Sequence, residues 1–330
     1  MIHPIPAGTR DVLPDEMREL RRLHAALIDV FEARGYGEVA TPAIEYDEVL
    51  SRGDDRATAG SYRFFDEGGE LLALRSDMTV PIARLVAGRF AGAEMPLRLC
   101  YLASAYRAVR PQRGQVREFV QAGVELIGAP APQGTAEIVE VLEAALDAAG
   151  LNRAVIGLGD ADLYRQLLTE LGVEGEARES IIGRLATHDL VGLEAELSVA
   201  GIDDEHVATC VALSQLRGGR EVLEQARGLG GAAVERATAR LLETYEELER
   251  RGVAERVQID LGLLRDLGYY SGAILEVYDP ALGYVLGGGG RYDGLLRRFG
   301  VDQPAAGFAL YLERVHLAQM EEERRGGERR

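Results

Sequence analysis

YRAVRPQRGQVREFVQAGVELIG, residues 106–128, reads as the turn and second strand of an antiparallel hairpin. The first strand is predicted from Met95 to Arg107 and the second from about Arg117 to Gly128. Between them VRPQRGQV breaks both periodicities at Pro111 and Gly114. Side chains alternate faces along a strand, so Val120, Ala122, Val124 and Leu126 share an apolar face. Gln121 and Glu125 lie on the other, with Gly123 between them. Glycine between two polar groups leaves open floor for a ligand against the backbone. A solvent-facing side of an antiparallel sheet gives the same alternation and is the commoner case, so on this strand alone the polar face is expected to meet water.

Two further stretches supply partners. LRSDMTVPIAR (74–84) places Asp77 and Thr79 on one side of an extended segment before an apolar helix start. LLRDLGYYSGAILEV (263–277) carries Arg265, Tyr269 and Tyr270. Such a set suits a free amino acid. Its ammonium needs acceptors, which Asp77, Thr79 and Gln121 offer. Its carboxylate needs a bidentate guanidinium, for which Arg265 is the candidate. An imidazole side chain donates to a carboxylate and pairs with a phenol, which suits Glu125 and Tyr270.

The bulk numbers bound the classes. A chain of 330 residues, 47% hydrophobic but only 6% aromatic and without Trp, buries a core of Leu, Val, Ile and Ala. Its 37 basic against 54 acidic side chains give a net charge of −17, a field that repels nucleic acid. Cys100 and Cys210 are far apart, so neither a disulfide framework nor a zinc site is expected. MIHPIPAGTRDVLPDE has no apolar core of a signal peptide, and no run reaches membrane-spanning length. A cytoplasmic protein without membrane contact is expected.

Pro14, Asp15 and Glu16 start a helix carrying Leu20, Leu23, Leu27, Val30 and Phe31 at helical spacing, and Gly35 ends it. An extended stretch follows in which Pro42 marks an edge or a turn. TAEIVEVLEAALDAAG is helical. Residues 172–252 turn charged, Ala/Leu-rich and helical in period, with a GLGG break at 228–231, and read as an inserted helical subdomain. Strand-like VQIDLGLL, YYSGAILEVYD and GFALYLERV follow, and 321–330 is a polar tail expected to fray. The domain reading is therefore a core of 1–171 and 253–320 around the insertion 172–252.

Other signals are weaker. GLGD (157–160) lacks the third glycine of a dinucleotide fingerprint, and GGGGRYDG has no Gly-Lys-Ser/Thr. That glycine run either lets backbone approach the pocket or turns the chain. His3, His24, His188, His206 and His316 are not at metal-ligand spacing, so no metal and no cofactor are expected. Arg110, Arg113 and Arg117 either meet a phosphate or form a solvated hairpin tip.

Residues 106–128 resemble the motif 2 hairpin of class II aminoacyl-tRNA synthetases in its histidyl version. LRSDMT, LLRDLGYY and GGGGRYDGL (287–295) resemble further histidyl-tRNA synthetase signatures. GFALYLERV (307–315) resembles motif 3, and the stretch around Pro42 motif 1. The order holds over nearly the whole chain. The resemblance implies an α+β fold: a class II synthetase-like antiparallel sheet flanked by helices, with a helical insertion, usually a homodimer across motif 1. It also implies histidine binding by Asp77, Thr79, Gln121, Glu125, Arg265, Tyr269 and Tyr270, with Arg107 and Arg314 at the nucleotide site; of the hairpin-loop arginines, Arg113 is taken with them as a phosphate candidate of a vestigial site.

The departures are specific. Val109 stands where motif 2 carries an acid, Tyr311 where motif 3 carries glycine, and Gly268 where the family has Asp before the paired tyrosines. An anticodon-binding domain is expected after motif 3 in a synthetase, and only a short tail follows here. This pattern is similar to the regulatory subunits of ATP phosphoribosyltransferase. That resemblance implies a non-catalytic chain that binds histidine, activates a short-form catalytic subunit in a hetero-oligomer and relays feedback inhibition of the first step of histidine biosynthesis. The alternative is a truncated histidyl-tRNA synthetase-like enzyme that forms histidyl-adenylate, which retention of Arg107 and Arg314 keeps open.

Overall fold

The computed structural model of the chain describes residues 4–53, 60–108, 116–265, 268–280 and 282–327. Helix α1 (Pro14–Ala33) begins on the proline, with Asp15 and Glu16 at its positive end, and buries Leu20, Leu23, Leu27 and Phe31. Short β1 (Gly37–Glu38) and β2 (Ile44–Tyr46) follow, with Pro42 in the irregular segment between them. Next come α2 (Asp47–Gly53), β3 (Arg63–Phe65), β4 (Leu71–Leu74) and α3 (Thr79–Arg89). The hairpin strands are β5 (Leu97–Tyr106) and β6 (Glu118–Ile127), within the spans read from sequence. After them come α4 (Gln133–Ala148), β7 (Val155–Asp160) and α5 (Leu163–Glu170).

The 172–252 stretch holds α6 (Gly175–Ala186), α7 (Leu190–Val199), α8 (Asp204–Gln215), β8 (Arg217–Gly218), α9 (Glu221–Leu229) and α10 (Ala232–Arg251). The GLGG break separates α9 from α10, with Gly230 at φ 83° and Gly231 at φ 93°. α10 packs on α4 and α5, so its apolar face joins the main core. The chain returns through β9 (Val257–Asp260), β10 (Ala273–Tyr278), β11 (Val285–Arg291), β12 (Ala305–Tyr311) and α11 (Leu312–Gly327).

Nine strands form one sheet in the order β1-β5-β6-β12-β11-β10-β7-β9-β8. Its centre, β5 to β7, is antiparallel, whereas β1 joins β5 and β9 joins β7 in parallel. A separate three-stranded sheet runs β2-β4-β3. This is the expected α+β class, a largely antiparallel sheet flanked by helices. Ala122, Val124 and Leu126 are fully buried in the larger core, which also takes in residues of α1, α4 and α10. The opposite face, with Leu99 and Tyr101, joins a second core shared with α2, α3 and the tyrosines of 269–292.

Three local expectations differ from the structure, and one open alternative, the glycine run, is decided. The tail expected to fray from 321 is helical to Gly327, because Glu321 pairs with Arg324 and Arg325 while Glu322 accepts the backbone N–H groups of Asn152 (3.2 Å) and Arg153 (3.0 Å). GFALYLERV is a strand only to Tyr311, where α11 takes over. VQIDLGLL turns at Asp260, whose Oδ1 accepts the Gly262 N–H at 2.9 Å. GLGD is the inner strand β7, and GGGGR is β11, so the glycine run is sheet and not a turn.

Candidate ligand-binding site

The floor of the site follows from strand register. On one face of β6 lie Gln121, Gly123 and Glu125; opposite them on β12 lie Tyr311, Ala309 and Gly307, and opposite those β12 residues on β11 lie Gly288 and Gly290. β5 adds Leu99, Tyr101 and Ala103 to the same rows. Small residues in the middle with polar ones at the ends leave a basin lying directly on the backbone. The glycines are required by crowding. A Cβ on Gly307 would stand 1.9 Å from Glu125 Oε2, and one on Gly288 would stand 1.8 Å from Arg265 Nη1.

Gln121 and Glu125 are 4% and 1% exposed, so this face does not look into water. Glu125 accepts the Thr79 hydroxyl at 2.8 Å and the Tyr292 hydroxyl on its other oxygen. Burial pushes its carboxyl up to about 8, only partly offset by those two hydrogen bonds. Asp77, 5% exposed, accepts the Val80 N–H at the start of α3, which fixes Asp77 and Thr79 side by side. Buried Arg75, one residue before Ser76, braces the segment through the Ser104 and Thr41 carbonyls (2.7 and 2.6 Å).

Residues 269–272 are held from the other side. The Ala161 N–H donates to the Gly272 carbonyl (2.7 Å), the Gly272 N–H to Asp162 (3.0 Å) and Arg165 to the Tyr270 carbonyl (3.2 Å). The rings of Tyr269 and Tyr270 lie 4.9 Å apart, and Tyr269 meets Tyr292 edge-on at 6.0 Å. Arg265 donates to the Leu275 carbonyl at 3.2 Å and lies 5.9 Å from the Tyr270 ring. Two buried polar atoms here, Gln121 Oε1 and Arg265 Nε, find no hydrogen-bond partner among the described residues. One is an acceptor and the other a donor, and an unpaired buried group is expensive unless something fills the need.

Asp77, Thr79, Gln121, Arg265, Tyr269 and Tyr270 line one small cavity together with Arg107, and Glu125 lies at its Thr79–Tyr292 end. The free space is about 20 Å³. Beyond Tyr311 an outer cavity of about 600 Å³ is lined by Arg10, Arg107, Phe119, Tyr284, Glu313 and Arg314, among others. Arg314 therefore belongs to the outer cavity, and Arg107 to both. Arg113, Arg110 and Val109 lie outside the described residues. Among the described residues no cluster of His, Cys, Asp or Glu could hold a metal ion, and no helix is long and apolar enough to cross a membrane.

With this geometry in place, the comparisons with known proteins are specific. Residues 8–315 match the family model described as histidyl-tRNA synthetase. The ATP phosphoribosyltransferase regulatory subunit of Moorella thermoacetica is 43% identical over 319 residues, 96% of this chain and 82% of that protein. The chain belongs to the regulatory subunits of ATP phosphoribosyltransferase, within the histidyl-tRNA synthetase family. Among solved structures, a protein of Bacillus halodurans described as an ATP phosphoribosyltransferase regulatory subunit/histidyl-tRNA synthetase superposes with a TM-score of 0.86 at 34% identity, covering 97% of this chain and 84% of that one. A histidine–tRNA ligase subunit of Alicyclobacillus acidocaldarius superposes with a TM-score of 0.86 at 30% identity, covering 98% and 99%.

Two contributors were not singled out from the sequence of this family member. Tyr292, inside GGGGRYDGL, is the phenol on Glu125, whereas Tyr270 stands beside Arg265. Tyr101 lies opposite Gly123 on β5 and lines the cavity. Extending the hairpin register one strand outward finds Tyr101. Periodicity does not find Tyr292, which follows the end of β11 and meets Glu125 across 167 positions of chain; only the GGGGRYDGL signature points to it.

Proposed function

We propose that this chain binds free histidine in the pocket between Gln121, Glu125 and Arg265 and uses it as a regulatory signal for a short-form ATP phosphoribosyltransferase catalytic subunit. The observation that carries the reading is the pair of unmet buried atoms, Gln121 Oε1 and Arg265 Nε, lining one glycine-floored pocket. An amino acid supplies an ammonium donor for the first and a carboxylate for the second. Glu125 at the far end suits an imidazole N–H. With about 20 Å³ free, an occupant the size of an amino acid displaces side chains, and a ligand that binds two states unequally biases whatever is coupled to them. A coupling of about 1–3 kcal/mol is the usual scale.

The chain is read as doing no chemistry of its own. Arg107 and Arg314 are engaged by Tyr311, their guanidinium carbons 5.8 and 4.7 Å from its ring, and Arg107 also donates to its hydroxyl at 3.4 Å. A homodimer is proposed through the small sheet, where register puts Ile44, Tyr46 and Phe64 on one face, 48%, 54% and 38% exposed. No role for nucleic acid or membrane is assigned, and a cytoplasmic location goes with a biosynthetic regulator.

Calorimetry tests the pocket. Glu125→Ala is expected to weaken histidine binding at least about tenfold, since it strands a buried donor. An unchanged dissociation constant refutes the assignment. Robust histidine-dependent pyrophosphate–ATP exchange by the purified chain would establish the adenylate-forming alternative instead. Co-purification with a phosphoribosyltransferase that is inactive alone tests the partner.

A further inference from the structure

Position 311 ends a row of small residues. On the pocket face of β12, Gly307 and Ala309 precede it, opposite Glu125 and Gly123, and Tyr311 stands opposite Gln121. A third small residue would carry the floor through into the outer cavity. A phenol stands there instead and lines both spaces. It is clamped from the outer side: Phe119 meets it edge-on at 5.4 Å, Arg314 lies 4.7 Å from the ring centre, and Arg107 donates to the hydroxyl. Tyr284 backs Arg314 at 5.6 Å and Phe119 backs Arg107 at 4.9 Å, so moving the ring disturbs a ladder of five side chains.

The two ends of the pocket differ in charge. Glu125, with Thr79 and Tyr292 on it, closes one end; at the other, Tyr311 stands among the guanidinium groups of Arg107, Arg265 and Arg314. An amino acid with its side chain toward Glu125 therefore points its carboxylate at the arginines and at Tyr311. Resting on the proposed histidine reading, we propose that Tyr311 is a specificity-determining residue: it admits amino acids whose α-carboxyl group is no larger than a carboxylate or primary amide and excludes those in which it carries a further N- or O-substituent. Any group larger than the carboxylate has to take the volume the ring fills.

Calorimetric titration with L-histidine, L-histidinamide and L-histidine 2-naphthylamide tests this. The amide removes the charge without adding bulk, so the naphthylamide-to-amide ratio reports space alone. The wild-type chain is expected to bind the naphthylamide at least about 30-fold more weakly than the amide, and Tyr311→Ala to bring the two within about threefold. Tyr311→Val, a β-branched residue suited to the strand, gives the same readout should the alanine variant not fold. Tyr311→Phe keeps the ring and is expected to keep the discrimination. Equal binding of both derivatives by the wild type, or an unchanged ratio in the Ala and Val variants, overturns the proposal. So does failure of the amide to bind the wild type, which would place the discrimination in charge. Failure of L-histidine itself would strike the underlying reading, a separate outcome.

Discussion

On one side of Tyr311 lies a pocket with about 20 Å³ of free space, and on the other an open cavity of about 600 Å³. The inner pocket is built from backbone-fixed polar groups over a glycine floor and still has an unmet acceptor and an unmet donor. The outer cavity is larger and carries more cations, yet those cations are already engaged. Arg314 donates to the Val285 carbonyl at 2.6 Å and stacks on two tyrosines, and Arg10 pairs with Glu16 at 2.5 Å. Burial alone would raise the Tyr311 phenol's pKa, but Arg107, Arg265 and Arg314 outweigh it and hold the phenol below its ordinary value. On the proposed reading, size is therefore a poor guide to which cavity binds. What separates the two is whether polar groups retain unsatisfied bonding capacity.

The largest effect is expected where the inner floor is tightest. Gly307→Ala puts a Cβ 1.9 Å from Glu125 Oε2 and 2.5 Å from the Val124 carbonyl. The carboxylate is fixed by Thr79 and Tyr292 and the carbonyl by the sheet, so neither can yield. A loss of about 2–3 kcal/mol in urea unfolding is expected. A variant as stable as the parent would mean the floor is looser than its register implies.

Next in size is a pH effect confined to the inner pocket. The Glu125 carboxyl, held at about 8 when folded, keeps its proton over a range in which the unfolded chain has released it. The folded state then binds more protons, so stability falls as pH rises from the unfolded carboxylate value through about 8 and levels off above it. One such group contributes at most about 1.4 kcal/mol per pH unit. Glu125→Gln should flatten that slope between about pH 5 and 8. An identical profile in the variant would show that Glu125 does not titrate there.

The hairpin shows how far the sequence reads. Alternation along 118–127 separates Ala122, Val124 and Leu126 from Gln121 and Glu125, because the facing of side chains along a strand is a local property. It does not reveal whether the polar face is wet, since that depends on β11, β12 and the 269–272 loop arriving over it. Those came from motif resemblance rather than periodicity. Part of the support for the helical tail to Gly327 is tertiary, the Asn152 and Arg153 N–H groups on Glu322, and no local reading reaches that part. The GGGGR strand escaped because glycine carries little strand propensity. Its glycines are explained by Arg265 and by the strands on either side, which approach too closely for any Cβ.

The smallest expected effect lies on the outer cavity. Arg10 is a cation on the outer cavity, with a side chain 42% exposed and a partner, Glu16, 31% exposed. Exposed ion pairs of this kind contribute about 0.5 kcal/mol or less, since solvent screens them and both chains lose rotamer freedom. Arg10→Ala should therefore leave unfolding free energy within about 0.5 kcal/mol and the histidine dissociation constant within about twofold of the parent. Arg10 lies on the far side of the Phe119–Arg107–Tyr311 stack from Gln121 and Arg265, so an amino acid enclosed in the inner pocket has no way to sense it except through bulk charge. A tenfold loss of histidine affinity in this variant would mean that the ligand reaches past Tyr311, and the division into a binding pocket and a spent cavity would fail with it.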